Sequence, residues 1–388
     1  MFSRWLDLQQ AKKSILLLGP RRAGKSTLLR MSFPNYKYVT FDDIDELQYA
    51  QKDPKGWVLG LGKKFIIDEA QRFPDVAISI KWAIDNKNVH CVLTGSTGLD
   101  LLQKSTESLA GRIEIYYLPP ACFGEDQGKP LKIEEWKNNP FLQKEASRAL
   151  DMFIEYGGFP EILVSENPEE KQKILRNYKN TYFTRDVADL NKIENLEGLY
   201  ALYQALIVGI CSRYEVSSLV KETGMSTPTV KKYLNTLVHS GLLFKLYGYH
   251  LSSAKRHISS AKSYFIDTGI IFSLSQDFSY AQQIENFVVS ELEKRRRLGF
   301  FNCDNLFYYE SVGGREIDVV IEEMKCIWAI EIKSGKSITG KDLRNLKEFE
   351  VKSNKTVKKI IFYMGSELYL EDGVEVRPIS TLYRAGHL

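Results

Sequence analysis

Gly19-Pro20-Arg21-Arg22-Ala23-Gly24-Lys25-Ser26 decides how the N-terminal third is read. A glycine, four residues and then Gly-Lys-Ser is the pattern of a phosphate-binding loop. The apolar run Ser14 to Leu18 before it reads as a buried strand, and Ser26 to Arg30 after it opens a helix, which is the context the motif's mechanism needs. Glycines let the backbone curl so that N–H groups face phosphate oxygens, and the helix N-terminus adds partial positive charge. The expected nucleotide-binding set is Gly19, Pro20, Arg21, Arg22, Ala23, Gly24, Lys25, Ser26 and Thr27, with Lys25 on the β/γ-phosphates and the Ser26 hydroxyl on Mg²⁺. A chance match between unrelated elements is the alternative.

Working outward, Tyr36 to Asp43 alternates and ends acidic, as a second strand leaving a sheet does. Lys64-Phe65-Ile66-Ile67-Asp68-Glu69 is an apolar strand ending in two carboxylates. Asp68 is placed to hold Mg²⁺ and Glu69 to orient the attacking water; an acidic strand end with a purely structural role is the competing reading. His90 to Ser96 is a further buried strand ending in hydroxyls, suited to lie between the first strand and the Asp68 strand. Thr94 is the candidate γ-phosphate sensor and Ser96 the reserve, with helix capping the other use of Ser96. Arg112, after Leu109-Ala110-Gly111, is either a contact to the γ-phosphate of its own or a neighbouring subunit, or a surface arginine ahead of a strand.

The order of these segments resembles the AAA-type ATPases widespread in archaea and bacteria, over nearly the whole chain. That resemblance implies a P-loop NTPase core of the AAA+/ASCE type, a five-stranded parallel sheet with the nucleotide at the carboxyl ends of its strands. It assigns Lys25 and Ser26 to phosphate and Mg²⁺, Asp68 to Mg²⁺, Glu69 to water and Thr94 to γ-phosphate sensing. Arg21 and Arg22 depart from it by making the loop unusually basic. The implied cofactors are ATP and Mg²⁺, and Arg112 implies a homo-oligomer.

Pro119-Pro120 ends the last core strand, and helical spacing follows from about Ala146 to Tyr200, broken by Tyr156-Gly157-Gly158-Phe159-Pro160. This reads as a helical lid, in which Arg185 either reports on nucleotide or forms an internal salt bridge. Val216 to Thr223, the turn Gly224-Met225-Ser226 and Thr229 to Ser240 form a helix-turn-helix. Leu242 to Tyr249 and Ser263 to Asp267 make a wing-like hairpin around the basic loop Ala254 to His257. Seven Lys or Arg against one Glu between Lys221 and Lys262 favour a phosphate-facing surface. Thr227, Thr229, Lys231, Lys232, Lys255 and Arg256 are the candidate DNA contacts, mostly sequence-independent, while protein binding is the other use of a winged helix.

In the last quarter, Asp318, twelve intervening residues and Glu331-Ile332-Lys333 follow a helix bearing Glu285. This is the arrangement of restriction-endonuclease-like (PD-(D/E)xK) folds, in which carboxylates hold Mg²⁺ and the lysine stabilises charge or positions the nucleophile. A hairpin with charges alternating on its solvent face is the plainer reading. The resembling ATPases often end in such a domain, which cuts DNA, binds it or serves in assembly.

The α/β chain of 388 residues is thus divided into an ATPase core (1–140), a helical lid (141–200), a winged helix-turn-helix (201–275) and a nuclease-like domain (276–388). There is no run of about 18 apolar residues, and the five cysteines are scattered. A cytoplasmic protein without membrane, disulfide or zinc chemistry is expected. A net charge of +4 set against 53 basic and 49 acidic groups says little about partners. The functional reading is an ATPase that couples nucleotide state to DNA binding, with metal-dependent cleavage left open. The alternatives are a nucleotide-switched interaction or oligomerisation protein and an endonuclease regulated by ATP.

Overall fold

The computed structural model describes residues 2–95, 107–181, 195–250, 260–274, 278–311, 313–351 and 353–388. The expected roles of Ser96, Arg185, Lys255 and Arg256 lie outside these residues. The chain forms two compact units, one of Arg4–Pro120 with His239–Gly241 and a larger one containing Ala121–Val238 and Leu242–Leu388.

Apolar runs too continuous for a half-wet sheet build the smaller unit. Strands β1 (Ser14–Leu18), β2 (Lys37–Thr40), β3 (Lys64–Asp68), β4 (His90–Gly95) and β5 (Ile113–Tyr117) form a five-stranded sheet in the order β2-β3-β4-β1-β5. Every pairing is parallel. All five residues of β1 are buried, as a central strand covered on both faces requires. Leu16, Leu18, Phe65, Ile67, Cys91 and Leu93 pack with Val76, Ala77, Ile80 and Ala83 of the Val76–Lys87 helix. As the sequence suggested, β4 lies between β1 and the Asp68 strand. A parallel sheet gathers the strand ends at one edge, so the loop after β1, Asp68 and Thr94 converge there.

The larger unit is built on an eight-stranded mixed sheet of β6 (Leu243–Gly248), β7 (Ala261–Phe265), β8 (Leu306–Glu310), β9 (Glu316–Glu322), β10 (Cys326–Lys333), β11 (Thr356–Tyr363), β12 (Tyr369–Glu371) and β13 (Val374–Pro378). Its order is β12-β13-β11-β10-β9-β8-β6-β7. The expected wing is present as the antiparallel β6–β7 hairpin, but it is not a free appendage: Tyr247 and Gly248 pair in parallel with Phe307 and Tyr308 of β8. One apolar cluster joins Phe153 of the expected lid, Leu206 and Leu237 of the helical region, and Phe287 and Ile330 of the C-terminal part. The boundaries at 200/201 and 275/276 therefore do not separate cores. Helices fill the connections, notably Pro140–Tyr156, Val216–Thr223, Thr227–His239, Tyr280–Arg297 and Gly340–Lys347.

A buried ionic network ties these segments together. Lys294, on the Tyr280–Arg297 helix, bonds to the Ala121 carbonyl, Asp267 Oδ2 and Glu291 Oε1 at 3.2, 3.2 and 3.0 Å. Asp267 accepts the Gly158 and Gly269 amides, and Glu291 accepts the Phe123 amide. Gly157 has a φ of 76°, and a Cβ there would lie 1.7 Å from Asp267 Oδ1, so the turn read as a break between helices is also the seat of this carboxylate.

All five cysteines are free, Cys91, Cys122 and Cys211 being buried. Among the described residues no helix is long and apolar enough to cross a membrane.

Candidate functional site

The phosphate loop turns where its sequence permits left-handed backbone. Gly24 (φ 90°) precedes the Lys25–Ser32 helix, and Arg22 (φ 60°) also adopts that conformation. A Cβ on Gly19 would sit 2.2 Å from the Leu118 carbonyl oxygen, so only glycine fits that approach. Lys25 is buried, and its ammonium donates to the carbonyls of Gly19 and Pro20 at 2.8 and 3.0 Å, within the loop that would cradle phosphate. Arg4, which the sequence reading missed, braces the loop through the carbonyls of Ala23 (2.6 Å) and Pro119 (2.8 Å). No local pattern betrays it, because its partners lie up to 115 residues away.

Asp68 is the hub. Ser26 Oγ donates to its Oδ2 at 2.6 Å, the Tyr38 hydroxyl to the same oxygen, and the Thr94 hydroxyl to Oδ1. Burial opposes its ionisation, but the hydroxyls of Ser26, Thr94 and Tyr38 and the Lys25 charge outweigh burial and hold Asp68 below the usual carboxylate range. Thr94, the expected γ-phosphate sensor, thus also holds Asp68. Tyr38, also missed, sits on β2 beside β3, and Arg30 stacks 4.4 Å from its ring centroid. Burial and then its bond to Asp68 push the Tyr38 hydroxyl up to about 12, so it stays a donor. Tyr38→Phe removes one bond to a charged group, of order 1.5–3 kcal/mol. The expected result is a roughly tenfold fall in ATP turnover with unchanged nucleotide affinity, measured by steady-state hydrolysis and equilibrium binding; a change in affinity alone would contradict the positioning role.

Glu69, past the end of β3, has left-handed backbone (φ 56°). Gln71 Nε2 donates to Glu69 Oε2, and an Arg21 guanidinium nitrogen lies 3.9 Å from that oxygen. The unusual basic residue of the loop therefore faces the second carboxylate of the acidic pair.

Arg112 requires a correction. It stands at the start of β5, where Ile113 pairs with Ser14, while the loop follows the other end, where Tyr117 pairs with Leu18. About 13 Å of strand lies between those ends. Arg112 instead forms a two-pronged ion pair with Asp85, at 2.6 and 2.9 Å. It does not reach the γ-phosphate of its own loop, and it stands as a surface arginine ahead of a strand.

In the larger unit, the helix-turn-helix residues divide by exposure. Thr227, Lys231 and Lys232 are exposed, whereas Thr229 is half-buried and takes part in the Ser226 cap. The charge count also changes meaning, since Lys245 is half-buried and Lys262 is 5% exposed. Neither adds to a phosphate-facing surface.

The C-terminal carboxylates are neighbours, yet they do not form a metal-ligand set. The Ile332 amide donates to Asp318 Oδ2 at 2.7 Å, and the Asp318 amide to Glu331 Oε2 at 3.3 Å. Lys333 Nζ is 3.3 Å from Glu331 Oε1, and the Tyr264 hydroxyl donates to Glu285 Oε1 at 2.8 Å. Lys262 Nζ lies 3.7 Å from Glu285 Oε1 and also pairs with Glu316. Among the described residues no three His, Cys, Asp or Glu side chains are placed to hold one metal ion. Of the expected metal ligands, Glu285 Oε1, Asp318 Oδ2 and both Glu331 oxygens are engaged by protein donors or an ammonium.

Comparison with known proteins places these observations. Residues 11–126 match the model described as "AAA domain", residues 147–281 a domain of unknown function (DUF8612) and residues 281–382 another (DUF4143). An uncharacterized protein of Methanocaldococcus jannaschii is 28% identical over 327 residues, covering 79% of this chain and 71% of that protein. One from Mycobacterium tuberculosis is 25% identical over 333 residues, covering 82% of this chain and 70% of that protein. Among solved structures, a Walker-type ATPase of Pyrococcus abyssi aligns over 69% of this chain and 92% of its own, at 17% identity and a TM-score of 0.42. Residues 11–126, which match the AAA domain, carry a lysine-bearing phosphate loop, an acidic strand end and a β2-β3-β4-β1-β5 parallel sheet, so this part of the chain is a P-loop ATPase domain of the AAA type.

Proposed function

We propose that this ATPase hydrolyses ATP with Mg²⁺ and that its nucleotide state governs DNA engagement by the Thr227–His239 helix. On the ATP side, the reading rests on the convergence at Asp68. Ser26 and Asp68 offer the hard oxygen donors that suit Mg²⁺, which when bound would neutralise phosphate charge. Lys25 exchanges its loop carbonyls for the β/γ-phosphates, Tyr38 and Thr94 hold the Asp68 carboxylate in place, and Glu69 orients the attacking water.

On the DNA side, one observation supports the reading. The Val216–Thr223 and Thr227–His239 helices are joined by a tight turn with Gly224 at φ 67°, Val230, Leu234 and Leu237 are buried, and Thr227, Lys231, Lys232 and Asn235 are left exposed. That is the division of faces a groove-binding second helix needs. Two phosphate contacts account for about 1.8 units of salt slope. The Lys231→Ala/Lys232→Ala pair should therefore weaken DNA binding and flatten the plot of log affinity against log salt by about that amount. ATP turnover of the unaltered protein should rise with one of duplex, single-stranded or branched DNA. Turnover indifferent to all three, with an unchanged slope in the double variant, would favour the nucleotide-switched interaction protein. The small charge left on the exposed helix face supports that second reading.

A further inference from the structure

We propose that the Lys262 ammonium is the resident cation of the cluster formed by Glu285, Glu316, Asp318 and Glu331, and that this site binds no divalent metal and cleaves no phosphodiester.

The lysine comes from the hairpin, outside the helix and strands that carry the acidic residues. Lys262 and Tyr264 are two apart on β7, hence on one face of the strand, and both reach Glu285 Oε1, at 3.7 and 2.8 Å. The Tyr280–Arg297 helix is fixed against β7 by Asn286, whose side chain accepts from the Phe265 amide at 2.9 Å and donates to the Phe265 carbonyl at 3.1 Å. The lysine's approach is thus set by paired backbone and not by a mobile surface arm.

Charge accounts for its place. A buried ammonium is tolerated only with opposite charges around it, and Lys262 has Glu285 and Glu316 as ion partners. Burial disfavours its charged form, but the fields of Glu285, Asp318 and Glu316 outweigh burial and raise its proton affinity. Lys333 provides the second positive charge, on Glu331. A hard divalent ion takes six or more oxygens. Here Glu285 Oε1, Asp318 Oδ2 and both Glu331 oxygens take N–H or O–H donors instead.

The test is Mn²⁺ binding to the full chain without nucleotide, counted by electron paramagnetic resonance, in the unaltered protein, Asp318→Asn, Lys262→Gln and the double variant. The unaltered protein and Asp318→Asn should bind the same number of ions. Lys262→Gln should gain one ion or bind at least about tenfold more tightly, a size typical of changes around a metal, and Asp318→Asn should abolish the gain. The proposal is overturned by an ion lost in Asp318→Asn alone, by Asp318-dependent DNA cleavage in Mg²⁺ or Mn²⁺, or by a folded Lys262→Gln that gains nothing. If Lys262→Gln does not fold, the comparison with Asp318→Asn still decides. None of these readouts depends on whether the Thr227–His239 helix engages DNA.

Discussion

Lys294→Met is expected to destabilise the larger unit by about 3–5 kcal/mol, the usual cost of removing one partner from a buried ion cluster. Lys294, Glu291, Asp267 and Arg295 are each no more than 2% exposed. Two cations balance two carboxylates, and every charge has further partners: Arg295 also donates to the carbonyls of Leu382, Ala385 and Glu291. Methionine keeps the length of the side chain, so the loss is one of charge and donors more than of volume. It strips the Ala121 carbonyl of a donor and leaves Asp267 without a cation. The two carboxylates differ in a way that sharpens the expectation. Burial lifts Asp267 above the ordinary range despite Lys294, whereas Lys294 and Arg295 together overcome burial and hold Glu291 below it. Asp267→Asn should therefore restore part of the loss when combined with Lys294→Met, giving a coupling energy of about 0.5–3 kcal/mol. Urea unfolding followed by far-ultraviolet circular dichroism measures both. A single-variant loss below about 1 kcal/mol would mean that the network is not held together by charge.

Glu69→Gln should lower ATP turnover by about 10²–10³-fold, the scale on which positioned general bases act, with ATP affinity retained. The amide keeps the size of the side chain but cannot polarise a water. Glu69 stands next to Asp68, and its carboxylate meets Gln71 and Arg21. Glutamine can keep the bond to Gln71, so the backbone turn at position 69 should survive. Single-turnover hydrolysis alongside nucleotide binding separates the two effects. Turnover within about threefold of the unaltered protein would remove Glu69 from the chemistry.

The nucleotide site was legible because its determinants are local. A loop, a strand end and their apolar flanks are each contiguous, and the parallel sheet assembles them without long-range choices. Tyr38 escaped because its strand alternates like many others, and only the β2–β3 pairing brings its hydroxyl to Asp68. For Arg112, the reading as a contact to its own loop fails for a related reason: sequence order puts it near the motifs, whereas strand direction puts it at the opposite edge. The largest differences arose in the second half of the chain. Counting Lys262 as surface charge assumed that a lysine in a basic stretch faces water, and a partner 23 residues away on another element, Glu285, reversed that. The merger of the hairpin with the C-terminal sheet depends on a β6–β8 pairing for which no local periodicity speaks.

That shared sheet bears on how the chain can be divided. β8 is covered on one side by β9 and on the other by β6. A fragment beginning at residue 276 would keep β9 but carry β8 as an open edge, Leu306-Phe307-Tyr308-Tyr309-Glu310, a short run of large apolar and aromatic residues with one charge. Such an edge is a template for strand addition between copies. In this protein β6 of the hairpin covers that edge at Phe307 and Tyr308, so a piece that keeps the edge covered begins upstream of Leu243 and not at the start of the Tyr280–Arg297 helix.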